Sequence, residues 1–471
     1  MPIKTLHLTN YWHERSGGIA TFYRQLIAAA NRQQRCMILV VPGEQNEVVE
    51  VGAYCRIYKI AAPLSPLNRE YRTIYPREFL LPGSKIHRIL ADERPDVVEI
   101  CDKYSLVHLG ALLRRGLAYS LNFRPVVVGL TCERMDVNFA AYVSRSRWGE
   151  AFARFYMRHV YFPAFDHHIT VSENTAAELK AIANGHLVPR GVWIRPMGVD
   201  VEHFSPNKRS LELRRQLLGG SDNPRNTFLL LYVGRLAPEK NLELLVATMA
   251  ELEKERQDFR LVLAGDGIAR EVLEHAAQAQ AAGKVIFLGH VADREELARL
   301  YASCDLFVHP NPEEPFGIAP LEAMASGLPL IAPDHGGVTS YANESNAYLA
   351  PPTAKAFAQT ILLACQSSSE TARRAQAARE TAEALSWTKV TDSFLRLYEN
   401  LYDVGTGQQP MEGVRPAFIS SNANAAQANR LRSAAQLAQA SFIAYLWAGR
   451  MVASLSNRGQ YQTALKDIRT S

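Results

Sequence analysis

Short apolar runs alternate with amphipathic stretches along most of the chain. In the first 195 residues, Thr5–Leu8, Met37–Val41, Arg56–Ile60, Val97–Ile100, Val126–Leu130, His168–Val171 and Val192–Arg195 read as strands. Runs such as Val-Val-Val-Gly-Leu at 126–130 are apolar throughout, the pattern of a strand covered on both faces. Segments such as Ile19–Asn31 and Thr175–Ile182 carry apolar residues at helical spacing. Strand–helix alternation of this kind predicts an α/β fold with a doubly wound parallel sheet.

The alternation breaks at Pro196-Met-Gly-Val-Asp and stays broken through Asp222-Asn-Pro-Arg-Asn, where turn formers dominate. It then restarts. Strands are expected at Phe228–Val233, Arg260–Ala264, Val285–Leu288, Leu306–His309 and Leu330–Ala332, and helices at Leu242–Glu255, Ala269–Ala282 and Arg294–Ser303. Two Rossmann-like domains follow, 1–196 and 226–386, joined by a hinge at 197–225. Paired domains of this kind put a ligand in the cleft between them. Trp387–Tyr402 has Val390, Phe394, Leu397 and Leu401 at helical spacing and closes the folded body as a helix over 387–402. A flexible linker is expected at 403–427 and an Ala-rich helical tail at 428–471, resting on the body, on a second copy or on a membrane surface, or else disordered.

Composition narrows the class. The 471 residues are 47% hydrophobic and 21% charged, which excludes a disordered chain and a small disulfide scaffold. The net charge of +5 gives no argument for nucleic-acid binding. Seven basic and three acidic residues follow position 402, so the tail is +4 and the body only +1. Six cysteines stand apart without a Cys-x-x-Cys pair, which fits reduced, mostly buried thiols in a cytoplasmic protein. The N-terminus has no long apolar segment of the signal-peptide kind, and no uncharged apolar run approaches the length a membrane helix needs.

The chemistry concentrates at Val308-His-Pro-Asn-Pro-Glu-Glu-Pro-Phe-Gly-Ile-Ala-Pro-Leu-Glu-Ala-Met-Ala-Ser-Gly. A strand ends, a Pro/Glu loop follows, and a short helix starts near Ala319. Pro320 suits its first turn and Gly327 the position just past its end. The loop therefore lies at the carboxyl end of a strand, where open α/β sheets bind ligands. Backbone N–H groups at Gly317 and Ile318 would face an anion such as a diphosphate. Seven residues separate Glu314 from Glu322. Each also has a plain structural reading, Glu314 as a solvated loop acid and Glu322 as a first-turn answer to the helix dipole. A glycosidase-type carboxylate pair is a further option. Arg235 and Lys240 follow the first strand of the second domain, again at a carboxyl end. Two cations and a helix N-terminus converging on one crevice suit a diphosphate.

At this point a family resemblance appears. Gly-Gly-Ile-Ala at 17–20, Met197-Gly-Val-Asp-Val-Glu-His-Phe, Val233-Gly-Arg-Leu-x-x-Glu-Lys-Asn, Ala264-Gly-Asp-Gly and Glu314-Pro-Phe-Gly-Ile-x-x-x-Glu322 together resemble the retaining GT-B glycosyltransferases of the family 4 type, the glycosyl transferases group 1. The resemblance covers 1–402. It implies that Arg235 and Lys240 hold and stabilise the donor's leaving diphosphate and that Glu322 binds the ribose hydroxyls. It also implies that Glu314 hydrogen-bonds the donor sugar while the Phe316–Ile318 backbone lies against sugar and phosphate. Gly289, His290 and Val291 would border the base, and Gly17 and Gly18 would let backbone approach the donor from the first domain. Relatives often read His-Glu-Arg-Leu-Asp where this chain has Thr131-Cys-Glu-Arg-Met-Asp136. Cys132 stands at the histidine's place, and with Glu133 is a candidate sugar or acceptor contact.

The expected activity is transfer of a hexose, of mannose or glucose type, from a nucleoside-diphosphate sugar to a lipid or glycan acceptor. The resemblance implies retention of anomeric configuration. No Asp-x-Asp occurs in the chain, so transfer without a metal or other cofactor is expected. The basic–aromatic stretch from Ser144 to Tyr161 is read either as a face for anionic lipid headgroups, at the inner side of the membrane, or as a solvated helix with core aromatics. A sugar-nucleotide epimerase on a similar fold and a non-catalytic sugar-nucleotide-binding scaffold are the alternatives.

Overall fold

A computed structural model describes residues 2–12, 17–65, 71–81, 83–118, 121–135, 147–182, 191–219, 227–255 and 259–406. The predicted tail and most of the linker before it lie outside these residues, as do 144–146 of the basic–aromatic stretch. The chain forms two compact units. One comprises Met1–Thr170, Thr175–Arg195 and Asp392–Ser471, the other Val171–Asn174 and Pro196–Thr391.

The first unit is built on eight strands: β1 Thr5–Thr9, β2 Met37–Gly43, β3 Glu47–Val51, β4 Cys55–Ala61, β5 Val97–Cys101, β6 Val126–Thr131, β7 His167–Thr170 and β8 Val192–Ile194. They are ordered β3-β4-β2-β1-β5-β6-β7-β8. All neighbours are parallel except β3 on β4, an edge hairpin that the sequence pattern did not suggest. Strands β1, β5 and β6 are buried at every position, as strands covered on both faces are. The helix Gly18–Arg32 buries Phe22, Tyr23, Leu26, Ile27 and Ala30, one stripe at i, i+3/i+4 spacing. One carboxylate, Glu99, is fully buried in β5. It is satisfied by the Tyr23 hydroxyl at 2.8 Å, by His7 Nδ1 at 3.1 Å and by the hydroxyl of Tyr398 on the closing helix Trp387–Thr406. Phe394 of that helix packs against Phe22 at a tilt of 58°, with centroids 4.8 Å apart.

The second unit has six strands: β9 Phe228–Val233, β10 Phe259–Ala264, β11 Val285–Gly289, β12 Leu306–Val308, β13 Leu330–Pro333 and β14 Tyr348–Ala350. Their order is β11-β10-β9-β12-β13-β14, parallel throughout. The chain runs outward from β9 to β11, then returns to place β12 on the other side of β9. The boundary between β9 and β12 is therefore the switch point, where loops diverge and leave a crevice. In the first unit the same reversal lies between β1 and β5. Helices Ala354–Gln366 and Ser368–Ala384, beyond the last expected strand, complete the second unit. Arg379 binds the carbonyls of Val201, Phe204 and Ala325, tying the segment after Pro196 to the end of the helix Ile318–Ala325.

Candidate active site

Loops at the carboxyl ends of β9, β10 and β12 build the site. After β9 the chain passes Gly234 and Arg235, makes a 3-10 turn over Pro238–Lys240, and turns sharply at Asn241, which takes a left-handed φ of 55°. The next loop is laced to it: the Leu236 amide donates to Asp266 O at 2.9 Å, and a Cβ on Gly265 would lie 1.8 Å from Gly234 O. Asn241 Nδ2 donates to Pro310 O at 3.0 Å, joining the β9 loop to the β12 loop across the switch point.

At that junction Lys240 Nζ lies 2.8 Å from Glu314 Oε2, and Asn311 Nδ2 donates to the same oxygen at 3.2 Å. Burial alone would raise the Glu314 carboxyl. The Lys240 ammonium, the neighbouring His309 and the two hydrogen bonds outweigh it and hold the group at about 2. Glu314 is therefore an ionised acceptor at neutral pH, rather than a solvated loop acid. His309 is itself buried, which lowers it to about 4, so its ring is neutral near pH 7.

The helix that follows runs Ile318–Ala325, with Gly317 before it at φ 87°. A Cβ at Gly317 would meet Tyr341 Oη at 3.1 Å, Val338 Cγ2 at 3.2 Å and Glu314 Cγ at 3.3 Å, so angle and space both call for glycine. Phe316 is buried against the Tyr341 ring, centroids 5.0 Å apart, which leaves its backbone as the part that could meet a ligand. The amide hydrogens of Gly317 and Ile318 take no partner among the described residues. Ser326, with Gly327 at φ 68°, ends the helix: the amides of Gly327 and Leu328 donate to Met324 O and Ala323 O.

Glu322 is the fifth residue of this helix and so lies beyond its first turn, which carries no acid. The helix-dipole reading is corrected accordingly, because that effect fades within one turn. Tyr301 Oη donates to Glu322 Oε2 at 2.9 Å. Burial raises the Glu322 carboxyl to about 7, against the Tyr301 hydrogen bond and the Arg294 charge, which pull it down. Arg235 reaches Glu239, Nη2 to Oε1 at 2.7 Å, with its side chain half exposed. Gly289 ends β11 at φ 74° and accepts from the Gly265 amide at 2.8 Å. His290 after it is exposed and Val291 half-buried, both beside the edge strand.

Two elements of this site lie outside the sequence motifs. Gly336 and Gly337 follow β13, and the Gly337 amide donates to Glu314 O at 2.8 Å. A Cβ on Gly336 would be 1.9 Å from Pro312 O and one on Gly337 2.1 Å from Pro315 O. They back the acidic loop so closely that no side chain fits. Their signal, Gly-Gly in the loop that follows a buried strand, is the same as at Gly17-Gly18. Tyr301, which positions Glu322, carried no local signal.

In the first unit, Gly17 precedes the helix Gly18–Arg32 at φ 118° with open space around it; backbone angle, rather than crowding, calls for glycine there. Cys132 is half-buried just past β6, and its proximity together with burial pushes the Cys101 thiol up. Glu133 Oε1 accepts from Tyr11 Oη at 2.6 Å. Among the described residues no cluster of three or more His, Cys, Asp or Glu side chains is arranged to hold a metal ion.

Residues 216–381 match the family described as Glycosyl transferases group 1. The chain is 27% identical over 397 residues to the GDP-mannose-dependent alpha-(1-6)-phosphatidylinositol dimannoside mannosyltransferase of Mycobacterium tuberculosis, covering 83% of this chain and 95% of that protein. It is 32% identical over 327 residues to the GDP-mannose-dependent alpha-mannosyltransferase of Mycolicibacterium smegmatis, covering 68% and 77% respectively. The structure of sucrose-phosphate synthase from Thermosynechococcus elongatus superposes with a TM-score of 0.65 at 24% identity, over 85% of this chain and all of that one, and shares the fold. The chain belongs to the glycosyl transferases group 1 family, has the GT-B fold, and is a glycosyltransferase.

Proposed function

We propose that this enzyme transfers mannose from GDP-mannose to a lipid-linked or glycan acceptor, with retention of configuration and without a metal ion. The observation that carries the reading is the Lys240–Glu314 pair at the β9/β12 switch point, directly before the open amides of Gly317 and Ile318. The dependence on GDP-mannose in the names of both mycobacterial relatives supports the donor.

The leaving group is a nucleoside diphosphate, already anionic at neutral pH. As the bond from sugar C1 to the phosphate oxygen breaks, negative charge grows on the diphosphate, so the site has to supply positive charge rather than a proton. Lys240, Arg235 and the amides at the helix N-terminus supply it, which is why no metal is called for. Glu314, ionised by the environment that Lys240 creates, is an acceptor for sugar hydroxyls and orients the hexose. Glu322 accepts from the ribose hydroxyls, the role implied by its place in the motif. Gly289, His290 and Val291 border the base, and Gly17, Gly18, Cys132 and Glu133 serve the sugar and acceptor side.

Membrane contact is supported by the helix Arg147–Tyr156 and the π-type turn Met157–Tyr161. Tyr156, Met157 and Tyr161 point into the core, whereas Phe152 and Phe155 are 39% and 59% exposed, with Arg154 and Arg158 exposed beside them. Aromatic and basic groups on one face suit an anionic lipid surface. Among the described residues no helix is long and apolar enough to cross a membrane.

The test is a screen of labelled GDP- and UDP-sugars with membrane lipid extract, in the presence and absence of EDTA. GDP-mannose should label the lipid fraction equally with and without chelator. Glu314→Ala should fold and lose transfer by about 100-fold or more, the scale on which a single group preorganised for the transition state acts. Label drawn only from a UDP-sugar, or abolished by EDTA, would refute the donor or the metal-free reading.

A further inference from the structure

The first unit contains a buried ion pair that the chemistry above does not use. Lys103 follows β5, and its ammonium lies 3.3 Å from the carboxylate of Glu178 on the helix Glu173–Ile182, with side chains only 2% and 7% exposed. A pair this deep is a poor device for stability, since desolvation offsets most of the attraction. What distinguishes it is where its remaining hydrogen-bonding capacity goes. Lys103 Nζ donates to Glu133 O at 2.6 Å, and Glu178 Oε1 accepts from the Met135 amide at 2.9 Å. Both charges therefore grip the main chain of one turn, on either side of Arg134.

The rest of the surroundings serves the same turn. Tyr156 Oη donates to Lys103 O at 2.7 Å and fixes the start of the strut. The Lys103 ammonium lies 5.5 Å from the centre of the Tyr161 ring, whose hydroxyl is 2.6 Å from Thr131 Oγ1. Thr131 and Met135 are buried, while Cys132, Glu133 and Arg134 between them are half-buried. The turn is anchored at both ends and offers only its middle.

We infer that Lys103 and Glu178 are positioning residues for glycosyl transfer: together they fix the backbone of residues 133–135 and so aim Cys132 and Glu133 at the carboxyl edge of the first unit's sheet. The inference rests on the reading that Cys132 and Glu133 meet sugar or acceptor. Displacement of a substrate-orienting group by about 1 Å costs on the order of 100-fold in rate, so a strut of this kind affects turnover without touching substrate.

The experiment compares two double variants by transfer from GDP-mannose to lipid extract. Lys103→Met/Glu178→Leu removes both charges and the Met135 acceptor. Lys103→Met/Glu178→Gln removes the charges but keeps an oxygen for the Met135 amide. Expected are an unchanged KM for GDP-mannose in both, a kcat lowered by about 10- to 100-fold in the Leu variant, and partial recovery in the Gln variant at a matched melting temperature. Recovery of this kind would not follow from loss of stability alone. A wild-type kcat in the Leu variant, or equal losses in the two, overturns the strut. Glu133→Ala separates the underlying reading: if it and Cys132→Ala both keep the wild-type kcat, the turn does not serve the substrate and the reading itself fails. Should the Leu variant not fold, hydrogen exchange in the native enzyme decides the question, because a Met135 amide exchanging as fast as an open loop contradicts the strut.

Discussion

Two glutamates in one motif are driven in opposite directions by their neighbours. Glu314 is held at about 2 because Lys240, His309 and Asn311 outweigh its burial, and Glu322 is raised to about 7 because Tyr301 and the Arg294 charge do not. The consequences for stability have opposite sign. The Glu314 contribution is present above the unfolded value of 4.5 and is lost as pH falls towards 2. Glu322 binds its proton more tightly when folded, so its cost appears as pH rises from 4.5 and is complete above about 7. Glu322→Gln removes that cost while keeping an oxygen for Tyr301. It should therefore leave Tm unchanged at pH 4 and raise it by several degrees at pH 8, for a gain of up to about 3 kcal/mol. Thermal melts at the two pH values check this, and a lower Tm at pH 8 would show that the carboxylate is not penalised. The same substitution should weaken GDP binding, because the residue assigned to the ribose loses its charge.

At the scale of elements, the helix Ile318–Ala325 depends on its two glycines. Gly317→Ala would force a methyl group into a left-handed φ and against Tyr341, Val338 and Glu314. It should cost about 1–3 kcal/mol, read by denaturant unfolding, and reduce transfer more than that loss explains, since the amides beside it shift too. Both helix ends were legible in the sequence because Pro320 and Gly327 carry positional meaning of their own. The strands β2, β6 and β9 were legible because burial on both faces leaves them almost wholly apolar. β3 was not: Glu-Val-Val-Glu-Val has neither an unbroken apolar run nor a strict alternation, and it pairs at a sheet edge. The three residues of β14 were too short to stand out. The site was legible as separate pieces only. Lys240 and Glu314 are 74 positions apart, and nothing local to either predicts the 2.8 Å contact. It follows from the strand order, which makes β9 and β12 neighbours. The need for glycine at 336 and 337 is not legible locally, because it comes from the carbonyls of Pro312 and Pro315, which belong to a different loop.

At the scale of the molecule, exposed Phe152 and Phe155 with Arg154 and Arg158 predict binding that requires both charge and apolar depth. Vesicles of phosphatidylglycerol and phosphatidylcholine should pull the enzyme down at low salt, and neutral vesicles should not. Phe155→Ser should weaken this binding without altering KM for GDP-mannose in a detergent assay; unchanged sedimentation would assign the face to solvent. A second feature concerns how the chain is divided. The closing helix starts in the second unit, where the Trp387 amide donates to Val199 O at 3.0 Å, and from Asp392 onward belongs to the first. There Phe394 covers Phe22, and Tyr398 completes the shell of donors around Glu99. The amino-terminal unit is thus not encoded by a continuous stretch of gene. Cut at residue 195 and expressed by itself, it would bury a carboxylate lacking one of its donors and leave an aromatic ring uncovered. A synthetic peptide carrying 387–406, added in trans, is the piece such a truncated product would need to fold.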